Sequence, residues 1–195
     1  MEAHTIQRIG AYFVDAILLS LFVMLLTFWI PTSEKYEEAI KDENNLLDSI
    51  FDEDLDFDKF YDDYSQVRYT LDKESMAVSL VTAVVSLGYF ATFAYYYNGQ
   101  TLGKKIFKIK IVSSTTEEVS HLKFIGRALL VNGILSSLLT DLILLFINYK
   151  QYNYTVGVVN FVQSAFMFVS LILIIMRTDK KGLHDLMFKT RVIQE

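Results

Sequence analysis

"RIGAYFVDAILLSLFVMLLTFWIP", residues 8–31, is long and apolar enough to cross a bilayer, yet it carries Asp15. A crossing helix needs about 20 apolar residues. A carboxylate at mid-helix costs roughly 2.5–3.5 kcal/mol on insertion scales. Arg8 stands at the entry of the run, and Pro31, the only proline in the chain, closes it. The apolar core is too long, and its flanks too poor in positive charge and small residues, for a cleaved signal peptide; it reads as a span that is kept. Asp15 lies about 10 Å along the helix from Arg8, near the inner hydrocarbon edge. Arg8 points back toward the N-terminus, so Asp15 needs a partner from another element. The candidates at that depth are Arg127 and the tail around His184. Asp15 is then either half of a buried clamp or a carrier of protons and cations.

The rest of the composition agrees with a membrane chain. Of 195 residues, 52% are hydrophobic, too many for an ordinary soluble domain of this length. Four apolar stretches reach spanning length: 9–31, 76–97, 128–148 and 156–176. The expected fold is an all-α membrane protein in one domain, 1–195. Absence of cysteine excludes disulfides, thiolate metal sites and a cysteine nucleophile. With only His4, His121 and His184 besides, a zinc centre lacks ligands. No cofactor and no nucleic-acid partner is expected.

Charge sets the expected direction. Segment 32–75 holds 15 acidic and 5 basic residues; segment 98–127 holds 6 basic and 2 acidic, and the tail 177–195 holds 5 basic and 3 acidic. Lys and Arg gather on the cytoplasmic side of membrane proteins. Both termini, the loop 98–127 and the tail are therefore predicted to be cytoplasmic, and the acidic insertion 32–75 external, with Tyr95, Tyr96 and Tyr97 anchoring the inner end of the second span.

Within 32–75, apolar residues recur helically and predict two amphipathic helices. From Asp52, carboxylates fall at the spacing of a calcium loop, with Asp54, Asp56 and Asp63 among them. Phe57 occupies the turn position that requires glycine, so a solvated acidic face is the better reading. "NGQTLGKK" (98–105) has three residues between its glycines where a phosphate loop has four, and it follows a span instead of a strand. Its glycines make the turn out of the membrane.

In "FKIKIV" (107–112), Phe107, Ile109 and Ile111 alternate with lysines. This period predicts a strand, Ser-Ser-Thr-Thr supplies a turn, and a short cytoplasmic β-hairpin is expected, with the tail strand 189–194 a candidate for its edge. An interfacial helix is the alternative. Under either geometry, Lys104, Lys105, Lys108 and Lys110 are candidates to face the phosphates of an anionic inner leaflet. "FKTRVI" (188–193) repeats the pattern after the last span. This is either a parallel duplicated unit or a chance likeness of two short basic stretches. Deeper in the membrane, Asp141 and Gln163 fall at similar depth on antiparallel neighbours, with Asn160 one turn further out. They are expected to form a hydrogen-bonded outer-leaflet group.

"RIGAYFVD", "GQTLGKKIFKIKIV" and "GLHDLMFKTRVI" together resemble the RDD family of bacterial membrane proteins. The family is named for an arginine and two aspartates, which the resemblance places at Arg8, Asp15 and Asp185. Its glycine–threonine–glycine–lysine stretch fits Gly99, Thr101, Gly103 and Lys104, and its second arginine fits Arg127. Leu102 stands where many members have proline, which loosens the turn. The resemblance implies a multi-pass bacterial cell-membrane protein. At least one member is associated with exchange of sodium or a similar monovalent cation for protons, and Asp15 and Asp141 are the carboxylates that could take part. A four-span protomer is small for such a path, which homodimerisation would help to build. The alternative is a non-transporting scaffold or accessory protein that engages a partner or anionic lipid through its basic face. No hydrolase, zincin or Cys–His signature points to an enzyme; His184 beside Asp185 reads as structural. The topology is directly testable. Single cysteines placed at Ser49 and Ser114 should label from opposite sides of the membrane with an impermeant maleimide, Ser49 from outside.

Overall fold

The first span forms α1, Thr5–Thr27, and only Ala11 and Asp15 of its residues are buried. This is the reverse of a soluble helix. Its large apolar residues, Phe22 and Leu25 among them, are exposed, and its carboxylate is hidden. The computed structural model describes residues 1–51, 54–116 and 118–195. The helix starts before the apolar run because Gln7 turns back to accept from the His4 amide, a satisfied N-terminal donor of the kind helix starts require.

Two helices, α2 (Glu34–Ser49) and α3 (Phe57–Glu74), form in the acidic segment and pack on each other. Ser33 and Asp56 cap them, each accepting from amides of the first turn. Arg68 of α3 joins Glu43 at 3.2 Å and Asp72 at 3.1 Å. Ser75 alone separates α3 from α4, Met76–Tyr96, whose middle widens into a π-helical stretch over Gly88–Phe93. A short helix α5 (Leu102–Ile106) and strand β1 (Ile109–Ser113) follow.

The third apolar stretch is broken, where a straight span over 128–148 was expected. Helix α6 (His121–Val131) and helix α7 (Ile134–Phe146) meet at 69°. Gly133 supplies the break with φ 67°, a left-handed conformation that glycine adopts without strain. Gln163 donates to the Leu130 carbonyl at 2.8 Å and so satisfies a group the break sets free. Helix α8 (Tyr149–Met176) starts seven residues before the expected 156, because Asn148 caps it. That extra length packs on α3: Tyr152 is fully buried, stacks edge-on with Tyr69 and donates to Asp72 at 2.8 Å. The chain closes with α9 (Leu183–Met187) and β2 (Thr190–Gln194). Among the described residues, three helices (α1, α4, α8) are thus long and apolar enough to cross a membrane, and the bent pair α6–α7 makes a fourth crossing if taken as one.

The expected hairpin is replaced by a long-range pair. Strand β1 runs antiparallel to β2, with Ile111 opposite Val192. Glu2 bridges to the other edge of β2, and Gly99 accepts from Ile111 on the other edge of β1. The two "FK" stretches match in shape as well as in letters. Each follows a five-residue helix, and Lys108 and Lys189 both take φ 52° before the strand begins. Aligned on Phe107 and Phe188, Ile111 corresponds to Val192, and these two residues face each other in the sheet. A local two-fold axis therefore passes through that pair. The matching extends to the packing. A Cβ added to Gly10 would lie 2.5 Å from Cζ of Phe107, and one added to Gly126 would lie 2.5 Å from Cζ of Phe188.

These paired contacts generate a prediction. Gly10→Ala and Gly126→Ala should each lower stability by about 1–3 kcal/mol through overpacking. Adding Phe107→Leu to the first, and Phe188→Leu to the second, should recover part of the loss. Thermal unfolding of the four variants in one detergent checks this, and unchanged losses in the double variants would show that the rings are not the obstacle.

Candidate functional site

Most of the buried polar residues gather in two hubs at the sheet end of the bundle. The first is centred on Asp185, with no exposed surface. It sits in the first turn of α9, where the Gly182 amide donates back to it at 3.2 Å. Arg8 of α1 reaches it at 3.3 Å. Arg127 of α6 donates to it and to Thr190, and Thr190 in turn donates to Asp185 at 3.1 Å. Arg8 also donates to the Val192 carbonyl at 3.2 Å. One carboxylate thus gathers the first helix, the bent helix and the terminal strand. Burial alone would raise the Asp185 carboxyl, but Arg127, His184 and Arg8 outweigh it and hold it down to about 2.

His184 lies beside it, Nε2 3.5 Å from Asp185. Its Nδ1 is 2.7 Å from the Ser170 hydroxyl, which also accepts from the Leu183 amide at 3.1 Å. A proton on Nε2 and a Ser170 hydroxyl donating to Nδ1 satisfy every group. Burial, then the charge of Arg127, pushes His184 down to about 3, so the ring is neutral near pH 7.

The second hub is Asp15, only 1% exposed. No arginine reaches it, although Arg127 and the His184 region were the expected partners; both arginines are taken by Asp185. Asp15 accepts instead from neutral donors: the Tyr89 hydroxyl at 2.6 Å, the Thr101 hydroxyl at 2.5 Å and the Gly103 amide at 2.7 Å. Tyr89 also accepts from the Leu102 amide at 3.1 Å. Tyr89 and Asp15 satisfy the Leu102 and Gly103 amides at the start of α5, and the Thr101 hydroxyl takes that of Lys104; the π-helical stretch of α4 carries Tyr89. A Cβ on Gly103 would run into the Ala11 backbone and sit 2.8 Å from the Asp15 carboxyl. Lys104 donates to Thr101 at 3.2 Å. Burial pushes its ammonium down to about 8, against the pull of Asp15.

Parts of the two hubs correspond. Aligning α5 with α9 places Lys104 opposite Asp185, and Leu102, held by Tyr89 of the preceding span, opposite Leu183, held by Ser170 of the preceding span. Between them lies a cavity of about 550 Å³, lined by Arg8, Asp15, Lys104, Arg127 and His184 at one end and by apolar residues of α1, α6 and α8 elsewhere.

The other candidates are dispersed. Lys105 and Lys108 are exposed, and Lys110 pairs with Glu195 at 3.8 Å. Lys104 lines the cavity and so departs from the lipid-facing set. The outer-leaflet group does not assemble. Asp141 accepts from Ser79 at 2.9 Å, Gln163 is spent on Leu130, and Asn160 is exposed. Of the acidic residues at calcium-loop spacing, Asp52 lies outside the described residues and Asp56 caps α3. Among the described residues no three His, Cys, Asp or Glu side chains gather as a metal site. Tyr89, Ser170 and Thr190 carry the hubs without a sequence signal of their own.

His184 makes the stability depend on pH. Its folded value, about 3, lies below its ordinary 6.5, so between these values the unfolded chain takes up a proton that the folded chain does not. Stability should therefore fall as pH drops through this window, by up to about 1.4 kcal/mol per unit. Asp185 adds its own loss only below about pH 4, as the pH falls toward 2. From pH 7 to 5 the melting temperature should decline in the parent and stay flatter in His184→Gln, which keeps a donor and an acceptor for its neighbours.

The sequence profile of the RDD family matches residues 3–189. No curated protein and no solved structure matches the chain.

Proposed function

The chain belongs to the RDD family, and from that premise we propose that this membrane protein is a non-transporting accessory protein that engages anionic lipid through its basic face. In this reading it resides in a bacterial cell membrane, with the sheet, both termini and residues 98–127 on the cytoplasmic side and the α2–α3 hairpin outside. It has no catalytic activity of its own. One observation carries the reading: the Asp15 carboxylate is filled by three short hydrogen bonds from groups that fasten α1 to α4 and α5. Three of its roughly four acceptor sites are taken, so a cation that sought more than one of them would have to displace donors that hold the start of α5. That is the behaviour of a fastening.

Cation/proton exchange is the second reading, and Lys104 is the observation in its favour. Its ammonium, pushed down to about 8 beside Asp15, is able to lose a proton near physiological pH. Reconstituted vesicles separate the two. Under the accessory reading, sodium or potassium pulses produce no ΔpH above protein-free vesicles. Asp15→Asn then lowers only the folded fraction seen by size-exclusion chromatography, because Asn lacks the second acceptor oxygen that Asp15 uses. A cation-driven ΔpH that disappears in Asp15→Asn, after correction for folded protein, would establish exchange instead.

A further inference from the structure

The cavity between the hubs combines two chemistries that the fastening role does not need. Its polar end holds Arg8, Lys104 and Arg127 against Asp15 and Asp185, an excess of one positive charge. Glu2, the remaining acid near Arg8, is shared with Arg191 at 3.6 Å. Arg8 is nine-tenths buried, and its Nε has no hydrogen-bond partner among the described residues. Among the described residues, the Lys104 ammonium finds only the Thr101 hydroxyl, itself already donating to Asp15. These are donors with unspent capacity in a low-dielectric place, where charge-assisted bonds are strong.

The other walls are apolar, from Phe90, Phe124, Val131 and Leu171 among others. The lining is drawn from both α1 and α8, which share no extended packing. Its rim residues are open: Ile9 is 44% exposed and Phe168 65% exposed. Both belong to helices whose outer surfaces are otherwise lipid-compatible. The opening therefore faces sideways, toward hydrocarbon. The volume lies in the range of small-molecule sites.

We propose that this cavity is a binding site for one anionic phospholipid of the surrounding bilayer, its headgroup at Arg8 and Lys104 and an acyl chain along α8. The proposal rests on the accessory reading and names its ligand. It differs from general attraction to the basic surface, which involves exposed lysines such as Lys105 and Lys108 and is screened by salt.

The test uses the full chain with Trp29→Phe and Phe168→Trp, so that a single tryptophan reports from the rim. The protein is reconstituted in phosphatidylcholine vesicles containing brominated phosphatidylglycerol, and quenching gives the preference for the anionic lipid. The expected preference is about tenfold, the worth of a hydrogen bond to a charged group, and it should persist in about 0.5 M salt. Lys104→Gln should bring it close to parity. So should Ser164→Phe, which narrows the cavity from an exposed position on α8 and leaves every charge in place. Lys105→Gln with Lys108→Gln should leave it intact. A preference that vanishes in salt and in the surface variant, yet survives Lys104→Gln and Ser164→Phe, would overturn the cavity site and leave the basic-face reading standing. No preference in the parent protein would remove both.

Discussion

A single carboxylate, Asp185, is shared by two arginines that enter the bundle from opposite parts of the chain. Burying three charges at a membrane edge is costly, and the cost is offset only if every member is paired and hydrogen-bonded. The carboxylate meets this in full: Arg8, Arg127, Thr190 and the Gly182 amide all converge on its two oxygens. The placement of α1, the bend of α6 and the position of β2 are consequences of that requirement. Removing the carboxylate alone would leave two buried cations without their acid.

The local two-fold axis adds a second layer. Corresponding positions in the two short helices carry Lys104 and Asp185, opposite charges in equivalent places. Each faces the other sign on a neighbouring helix: Lys104 is drawn to Asp15 of α1, and Asp185 binds Arg127 of α6. The backbone scaffold is shared while the polarity is inverted. The inversion matters because two identical cationic corners would repel across the cavity, whereas one of each sign leaves a small net field there.

How much of this was legible in the sequence depends on the range of the interaction. Hydropathy located α1, α4 and α8, since an apolar face toward lipid needs no partner to be recognised. Helix starts were missed where the capping residue, Gln7 or Asn148, sits outside the apolar run. The Asn132–Gly133 pair was a readable turn signal inside the third stretch, masked by the leucines on either side. Alternation announced β1, but nothing in its spacing tells which distant segment supplies the partner. The partners of Asp15 were hidden for a different reason. Formal charge directed attention to arginines, while the protein used a tyrosine, a threonine and a backbone amide, and such neutral donors leave no mark in a charge pattern.

The pairing of β1 with β2 also imposes an order on biogenesis. Arg8 leaves the ribosome 177 positions ahead of its acid, Asp185. During synthesis the first helix must wait in the membrane with its arginine unanswered while every later helix is inserted. The terminal strand then acts as a latch, engaging β1 on one edge and residues 1–3 on the other. A ribosome that stops before α9 leaves the latch missing and the arginines bare, a chemical mark by which an unfinished chain differs from a finished one.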